Sequence, residues 1–530
     1  MKKRNIFFFL ALLCLFGKDL YGQKVAGHPP VPSAAEGAPV VVYGEIRDFE
    51  PVEDIEIAFW ENLFTPNSPN PIPRKFGIKT HKGNFFNNVQ PKVDRLFELI
   101  ITDIQGPGYI NLSSGKSLFL EAYLVEPGDS IMLRIDRMTN TIVFGGPSGD
   151  KFQCQAELEK IGLKRELERP KTYNFQNSAP LDATLDSLLQ QTLADFGRHP
   201  EILLSHSDVV SSLKNGILKL DDGEYLSVLD RYKNKLSNSS AQILKANYLS
   251  RDRYRVARRF VNAISEIKAD TISDFLMADL QEMFQQEISR FLKLEQDNAH
   301  LKDAYQYVML INATLKAEEM LTGTPFIELV AGLRQGALRD RVVTGHFLER
   351  FVVMKEGPEA VLKGLELVED PAMGSILRDL YERQAAGKKA LDFSLPNEYG
   401  EMVSLGDFKG KVILVDYWFT GCGACVILNQ NHLVPISEYF QSDPEFVMVS
   451  ISVDQKEEQW KKSLESGKYT PPGAIHLNTG KAGGKHELLE SYNINAFPHV
   501  MLIDRDGYII NHGYYNPTFT KLKEDISGVL

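Results

Sequence analysis

Three patterns of apolar and polar positions succeed one another along the chain. Between Val40 and Gly146 short runs alternate apolar and polar residues, with Pro, Gly, Asn and Asp between them. This spacing predicts strands over 41–46, 54–59, 96–102, 117–125, 130–135 and 141–144. Pro127-Gly128-Asp129 and Met138-Thr139-Asn140 read as turns, and 62–73 as a proline-rich loop. The outcome is an antiparallel, sandwich-like β domain over 40–148. From 149 to 387 the apolar period becomes helical, predicting helices over 155–168, 181–196, 224–235, 241–267, 272–294 and 302–321. Shorter helices are predicted at 326–339, 344–354, 358–367 and 373–384. No fixed repeat recurs, so this is an all-α domain rather than a solenoid. From 388 to 530 strands and helices alternate, as in an α/β domain. A hairpin leads to strand 412–418, helix 422–440, strand 446–453, helices 456–465 and 485–492, strands 500–504 and 508–511, and helix 519–529.

The first residues form a different kind of segment. Lys2, Lys3 and Arg4 precede an apolar run over 6–16, shorter than the roughly 20 residues that span a bilayer, and this is the layout of a secretory signal. Cleavage after Gly22 would leave a Pro-, Ala- and Gly-rich flexible leader over 23–39. The protein is therefore expected to be exported, with an uncleaved signal anchor as the alternative. A net charge of −11 across 530 residues, with no dominant basic tract, argues against a nucleic-acid partner. Of four cysteines, Cys14 would leave with the signal. The three that remain cannot build a disulfide framework.

Against that background Cys422 and Cys425 stand out. Val412, Ile413, Leu414 and Val415 form the run of a strand buried on both faces, and the Cys-x-x-Cys pair follows at a helix start. Unpaired backbone N–H groups there stabilise a thiolate and lower its pKa below the usual value of about 8.5. Cys425 lies one turn on, close enough to close a disulfide. An exposed Cys422 would attack and a more buried Cys425 would resolve. A structural zinc site would need a second ligand pair at short spacing, and Cys14 and Cys154 are distant and isolated. His432, His476, His486, His499 and His512 have no metal-binding spacing either. Dithiol chemistry requires no cofactor, and none is expected.

The segment Lys411 to Cys425 resembles the active-site stretch of the thioredoxin superfamily, and its flanks resemble the TlpA/ResA-like exported bacterial thiol-disulfide oxidoreductases. The likeness extends over 388–530. It includes a hairpin at 393–405, a strand and exit at 446–454, and Ala496-Phe497-Pro498-His499 opening a strand that ends in Asp504-Arg505-Asp506-Gly507. The resemblance implies a cis Pro498 facing the cysteines, with Phe497, Pro498 and Trp418 meeting the substrate. It also implies that Asp416 moves the proton of Cys425, a role suited to a carboxyl whose pKa burial has raised. Gly421 stands where many members have tryptophan, Leu428 where ResA-like proteins have glutamate, and Gly423-Ala424 between the cysteines.

The expected function is periplasmic reduction of protein disulfides, with electrons resupplied by a membrane-bound thiol donor. A partner-binding or scaffolding protein with a subordinate redox domain is the alternative. A peroxiredoxin-type peroxidase fits less well, because the Pro-x-x-x-Thr/Ser-x-x-Cys pattern fails at Val415 and Phe419. Elsewhere Trp60 with Tyr109 is expected to pack in a core or loop, and Cys154 to be a buried small hydrophobe. The five arginines of 251–259 are expected on a solvated, ion-paired helix surface.

Overall fold

The computed structural model describes residues 37–66, 71–85, 94–115, 117–174, 182–268, 274–293, 298–350, 357–384, 386–492, 494, 496–514 and 518–530. The signal segment and nearly all of the leader lie outside the described residues.

The β region is a sandwich. One sheet runs in the order His81–Lys82, Asp94–Ile101, Val40–Arg47, Ser130–Asp136, Thr141–Gly145, and the other in the order Arg74–Lys79, Asp54–Trp60, Gly108–Ser114, Ser117–Val125. Alternate side chains such as Val40, Val42, Ile55, Ile57, Ile131 and Leu133 fill the space between the sheets. The expectation of a purely antiparallel domain is corrected at one pairing, because Val40–Arg47 lies parallel to Ser130–Asp136. Strands Arg74–Lys79, His81–Lys82 and Gly108–Ser114 escaped the sequence reading. Two are short and largely polar, and the third runs into a turn, so alternation alone does not mark them. Both predicted turns use left-handed backbone, at Gly128 (φ 87°) and Asn140 (φ 53°).

The helical region opens with Gly149–Glu168, whose Phe152 inserts into the sandwich core. Its longest element, Asn238–Lys268, packs along Tyr305–Thr322. Two boundaries are corrected. The predicted helix 326–339 stops at Ala331, and a new one begins at Ala337 and continues to Arg350. The predicted helix 272–294 is Asp274–Gln286 followed by a 3₁₀ segment, Ile288–Lys293. Helix His206–Leu218 was not foreseen; it starts at Ser205 in a capping box with Asp208.

The β and helical regions share one apolar core. Trp60, Tyr109, Leu63 and Phe64 are buried together with Cys154, Phe260 and Leu310. Tyr109 Oη donates to the Asp303 carbonyl (2.6 Å) and accepts from Asn247 Nδ2 (2.8 Å). Arg341 donates to Asn62 Oδ1 and to the Leu63 carbonyl, both at 2.8 Å. Such pairing offsets the cost of burying these polar groups.

The C-terminal region is a five-stranded sheet in the order Ile475–Asn478, Phe446–Ser452, Val412–Trp418, His499–Ile503, Ile509–His512. The first three strands are parallel and the last two antiparallel to their neighbours. Val412, Leu414, Val500 and Leu502 face one helical layer, with Leu433, Ile436, Phe440 and Leu522. Ile413, Val415, Tyr417 and Met501 face the other cluster, with Leu395 and Leu489. Strand Ile475–Asn478 was missed because only a short, half-buried stretch pairs at the sheet edge.

Candidate active site

Every residue of Val412–Trp418 is buried, as expected of a central strand covered on both sides. One of them is a carboxyl. Side-chain alternation places Asp416 on the face of Val412 and Leu414, beneath the helical layer that begins with the cysteines. It is 1% exposed, and its Oδ1 has no hydrogen-bond partner among the described residues. Burial pushes its pKa up from 3.8 to about 8, so it is mostly protonated at neutral pH.

Beyond Trp418 the chain turns sharply. Asp454 accepts from the Thr420 backbone (3.0 Å) and hydroxyl (2.6 Å), and from Ser452 Oγ (3.0 Å). The Gly421 N–H donates to Tyr469 Oη at 3.0 Å, and the Tyr469 ring stacks on Trp418 with centroids 5.0 Å apart. Gly421 has φ 99°, a conformation side chains resist, so the loop is shaped for glycine here.

Cys422 caps the N-terminus of helix Gly423–Leu428, its Sγ accepting from the Cys425 N–H at 3.1 Å. The two cysteines form a disulfide. The helix continues through a π turn, Asn429–Leu433, into Val434–Phe440, so the predicted 422–440 segment is one interrupted helix. Pro435, which lacks an N–H, sits just past the π turn. The turn also directs buried Asn429 to donate to the Lys468 carbonyl (3.1 Å), tying the Cys helix to the Tyr469 loop.

Two expectations are corrected here. Cys422 is not freely exposed; it is 6% exposed against 2% for Cys425, because Trp418, Trp460, Tyr469 and Phe497 pack around the pair. Access is left by Gly421 and Gly423, which have open space where a β-carbon would stand. Trp418 is fully buried, with Nε1 donating to Ser450 Oγ (2.7 Å), so it backs the disulfide and cannot touch a substrate.

The Phe497–Pro498 peptide is cis. Phe497 is half-buried and meets exposed Phe419 edge-on, with centroids 5.6 Å apart. His499 points to the other side of the sheet, against Tyr417 and His512. Burial lowers its pKa to about 3, and burial with the neighbouring His499 drives His512 well below 6.5. His499 is thus uncharged at neutral pH and exerts no charge on the sulfurs. Leu428 lies in the apolar cluster, leaving no carboxylate at that position. Among the described residues no three His, Cys, Asp or Glu side chains are grouped to hold a metal. The sequence reading missed Tyr469, Trp460 and Asn429. Nothing in Ser-Gly-Lys-Tyr or in a lone Asn marks a residue that folds back on the cysteine loop.

A disulfide at a helix N-terminus, following a strand that carries a buried protonatable carboxyl, has the layout of a thiol-disulfide exchange centre. Residues 410–509 match the family model described as Thioredoxin-like. Thiol-disulfide oxidoreductase ResA of Bacillus thuringiensis subsp. konkukian is 28% identical over 145 residues, covering 27% of this chain and 78% of that protein. Thioredoxin-like protein YneN of Bacillus subtilis is 28% identical over 128 residues, covering 23% and 68%. Among solved structures, the thioredoxin domain of a thiol-disulfide oxidoreductase from Bacteroides vulgatus is 33% identical, covering 28% of this chain and 99% of that one, with a TM-score of 0.25. The C-terminal region of the chain is therefore a Thioredoxin-like domain, and the curated proteins it is similar to are thiol-disulfide oxidoreductases named ResA.

Proposed function

We propose that this protein is a periplasmic oxidoreductase that reduces protein disulfides with the Cys422/Cys425 dithiol. The observation that carries the reading is the disulfide at the helix N-terminus with Asp416 buried on the same face of the sheet. In the substrate half-reaction the Cys422 thiolate attacks a substrate disulfide. A Cys422–substrate bond forms, and the other substrate sulfur leaves as a thiolate. Asp416, as carboxylate, takes the Cys425 proton, and the Cys425 thiolate attacks Cys422 Sγ. This closes the Cys422–Cys425 disulfide and releases the second substrate thiolate. Asp416 is left protonated, which suits its raised pKa in the disulfide form.

To reset the centre, a thiol donor attacks Cys422 Sγ. Cys425 leaves as a thiolate and recovers the proton from Asp416. A second donor thiol then frees Cys422 as its donor disulfide forms. The donor is proposed to be membrane-bound. Within the described residues no helix is long and apolar enough to cross a membrane. Phe497, Pro498 and exposed Phe419 are proposed to receive an extended substrate segment. Cys425→Ser tests the scheme, since it should hold substrates as mixed disulfides on Cys422. Failure to recover any mixed disulfide from cells expressing that variant would remove the assigned roles.

A further inference from the structure

The helical region carries a cavity of about 560 Å³, within the range of roughly 300–1,000 Å³ typical of small-molecule sites. It opens where the β region meets helices Asn238–Lys268 and Tyr305–Thr322, among residues remote in sequence from the cysteines. The arginine-rich stretch explains part of its wall. Arg253 pairs with Asp222, Arg255 with Glu166 and Asp252, and Arg259 with Glu201, as a solvated helix surface requires. Arg251, Tyr254 and Arg258 share the face that lines the cavity, where Arg251 pairs with Glu159 at 2.8 Å.

Two amides line the cavity from helix Tyr305–Thr322. Asn312 is 6% exposed, and its Oδ1 has no hydrogen-bond partner among the described residues; the buried Gln306 Oε1 has none either. Unpaired buried acceptors are costly, and both call for a donor from within the cavity. Two arginines and three glutamates line the site, a nearly balanced set that selects no strongly charged ligand. Tyr254 and Tyr305 add aromatic surface. Of the lining residues only Glu121 lies on a strand, the edge strand Ser117–Val125, and the Leu124 N–H and carbonyl of that strand are already paired with the Gln155 side chain.

We propose that this cavity binds a small neutral saccharide, independently of the dithiol chemistry. Each sugar hydroxyl both donates and accepts. It can therefore give a proton to the Asn312 and Gln306 oxygens while accepting from guanidinium and tyrosine groups. Tyr254 and Tyr305 supply surface for the apolar side of a sugar ring.

The test is calorimetric titration of the full chain with glucose, galactose, mannose, N-acetylglucosamine and their di- and trisaccharides, with tri-alanine and tri-glycine as the competing class. The proposal expects saturable binding of at least one saccharide with Kd below about 1 mM. Asn312→Leu should weaken it at least about 10-fold, the scale of one lost hydrogen bond. Arg258→Ala, at an exposed position, should weaken it too and serves if Asn312→Leu does not fold. Cys422→Ser should bind the saccharide as the parent does. No binding by any of these saccharides, peptide binding alone, or saccharide binding unchanged in both variants overturns the proposal.

Discussion

Cys154 and the Cys422–Cys425 pair are all buried near helix beginnings, yet they differ in chemistry. Cys154 lies inside helix Gly149–Glu168, in the core shared by the β and helical regions, and desolvation pushes its thiol up to about 12. Cys422 caps its helix, where the Cys425 N–H points at its sulfur and bare glycines stand on either side. Burial makes one thiol inert. At the other site the unpaired N–H groups of a helix end, with Asp416 as the proposed proton acceptor, make buried sulfur usable. Position along the helix and access at its start distinguish them, more than exposure does.

The largest expected effect follows directly. Cys422→Ser should abolish insulin reduction, while Cys154→Ser should keep most of it. A folded Cys154→Ser variant without activity would break the comparison. Asp416→Asn comes next, and should slow disulfide turnover at neutral pH by about 10- to 100-fold, the low end of general acid-base contributions. Its stability effect has a definite sign. Because the folded pKa is raised to about 8 from 3.8, the contribution of Asp416 to oxidised-state stability is full below about pH 4 and is lost as pH rises through about 8. Melting curves should therefore show Asp416→Asn gaining on the parent between pH 6 and pH 9, by at least about 1 kcal/mol. No gain would mean that the carboxyl is not desolvated.

The opposite face of the sheet gives a smaller effect of the other sign. His499 and His512 are buried neutral with depressed pKa values, so their contribution is present above about pH 6.5 and is lost as pH falls toward about 3. His499→Leu should move the acid-unfolding midpoint to lower pH, as read by near-UV circular dichroism; an unmoved midpoint would count against burial of the neutral ring. Smallest is Tyr469→Phe, which keeps the stack on Trp418 but removes the acceptor for Gly421. It should cost about 0.5–1.5 kcal/mol in the oxidised protein and leave Cys422 alkylating a few-fold faster when reduced. An alkylation rate equal to the parent's would mean that this hydrogen bond does not hold the cysteine loop.

The exchange centre was largely legible because its determinants are local. The Cys-x-x-Cys after a buried strand can be read from neighbouring residues, whereas Asp416 and Pro498 were singled out through the resemblance to the thioredoxin superfamily. What escaped was tertiary. Tyr469 and Asn429 matter because a π turn and a loop meet, and no periodicity records that meeting. The exposure of Cys422 and the contact role of Trp418 were misjudged for the same reason, since Trp460 and Tyr469 close over the pair from distant sequence. In the β region the long, strongly alternating strands were foreseen, and the short polar ones and the parallel pairing were not. Trp60 and Tyr109 pack in a core, as expected, but that core belongs to two regions at once.

The central claim is that Cys422 and Cys425 form a reducing two-electron couple while Cys154 stays outside the chemistry. The most direct measurement is equilibration of the full chain in dithiothreitol and glutathione buffers, with alkylation of free thiols and peptide mapping of each cysteine. The account predicts one two-electron transition at Cys422 and Cys425, near thioredoxin's value of about −270 mV, with Cys154 unpaired throughout. A potential near −120 mV, or a disulfide that recruits Cys154, would contradict it.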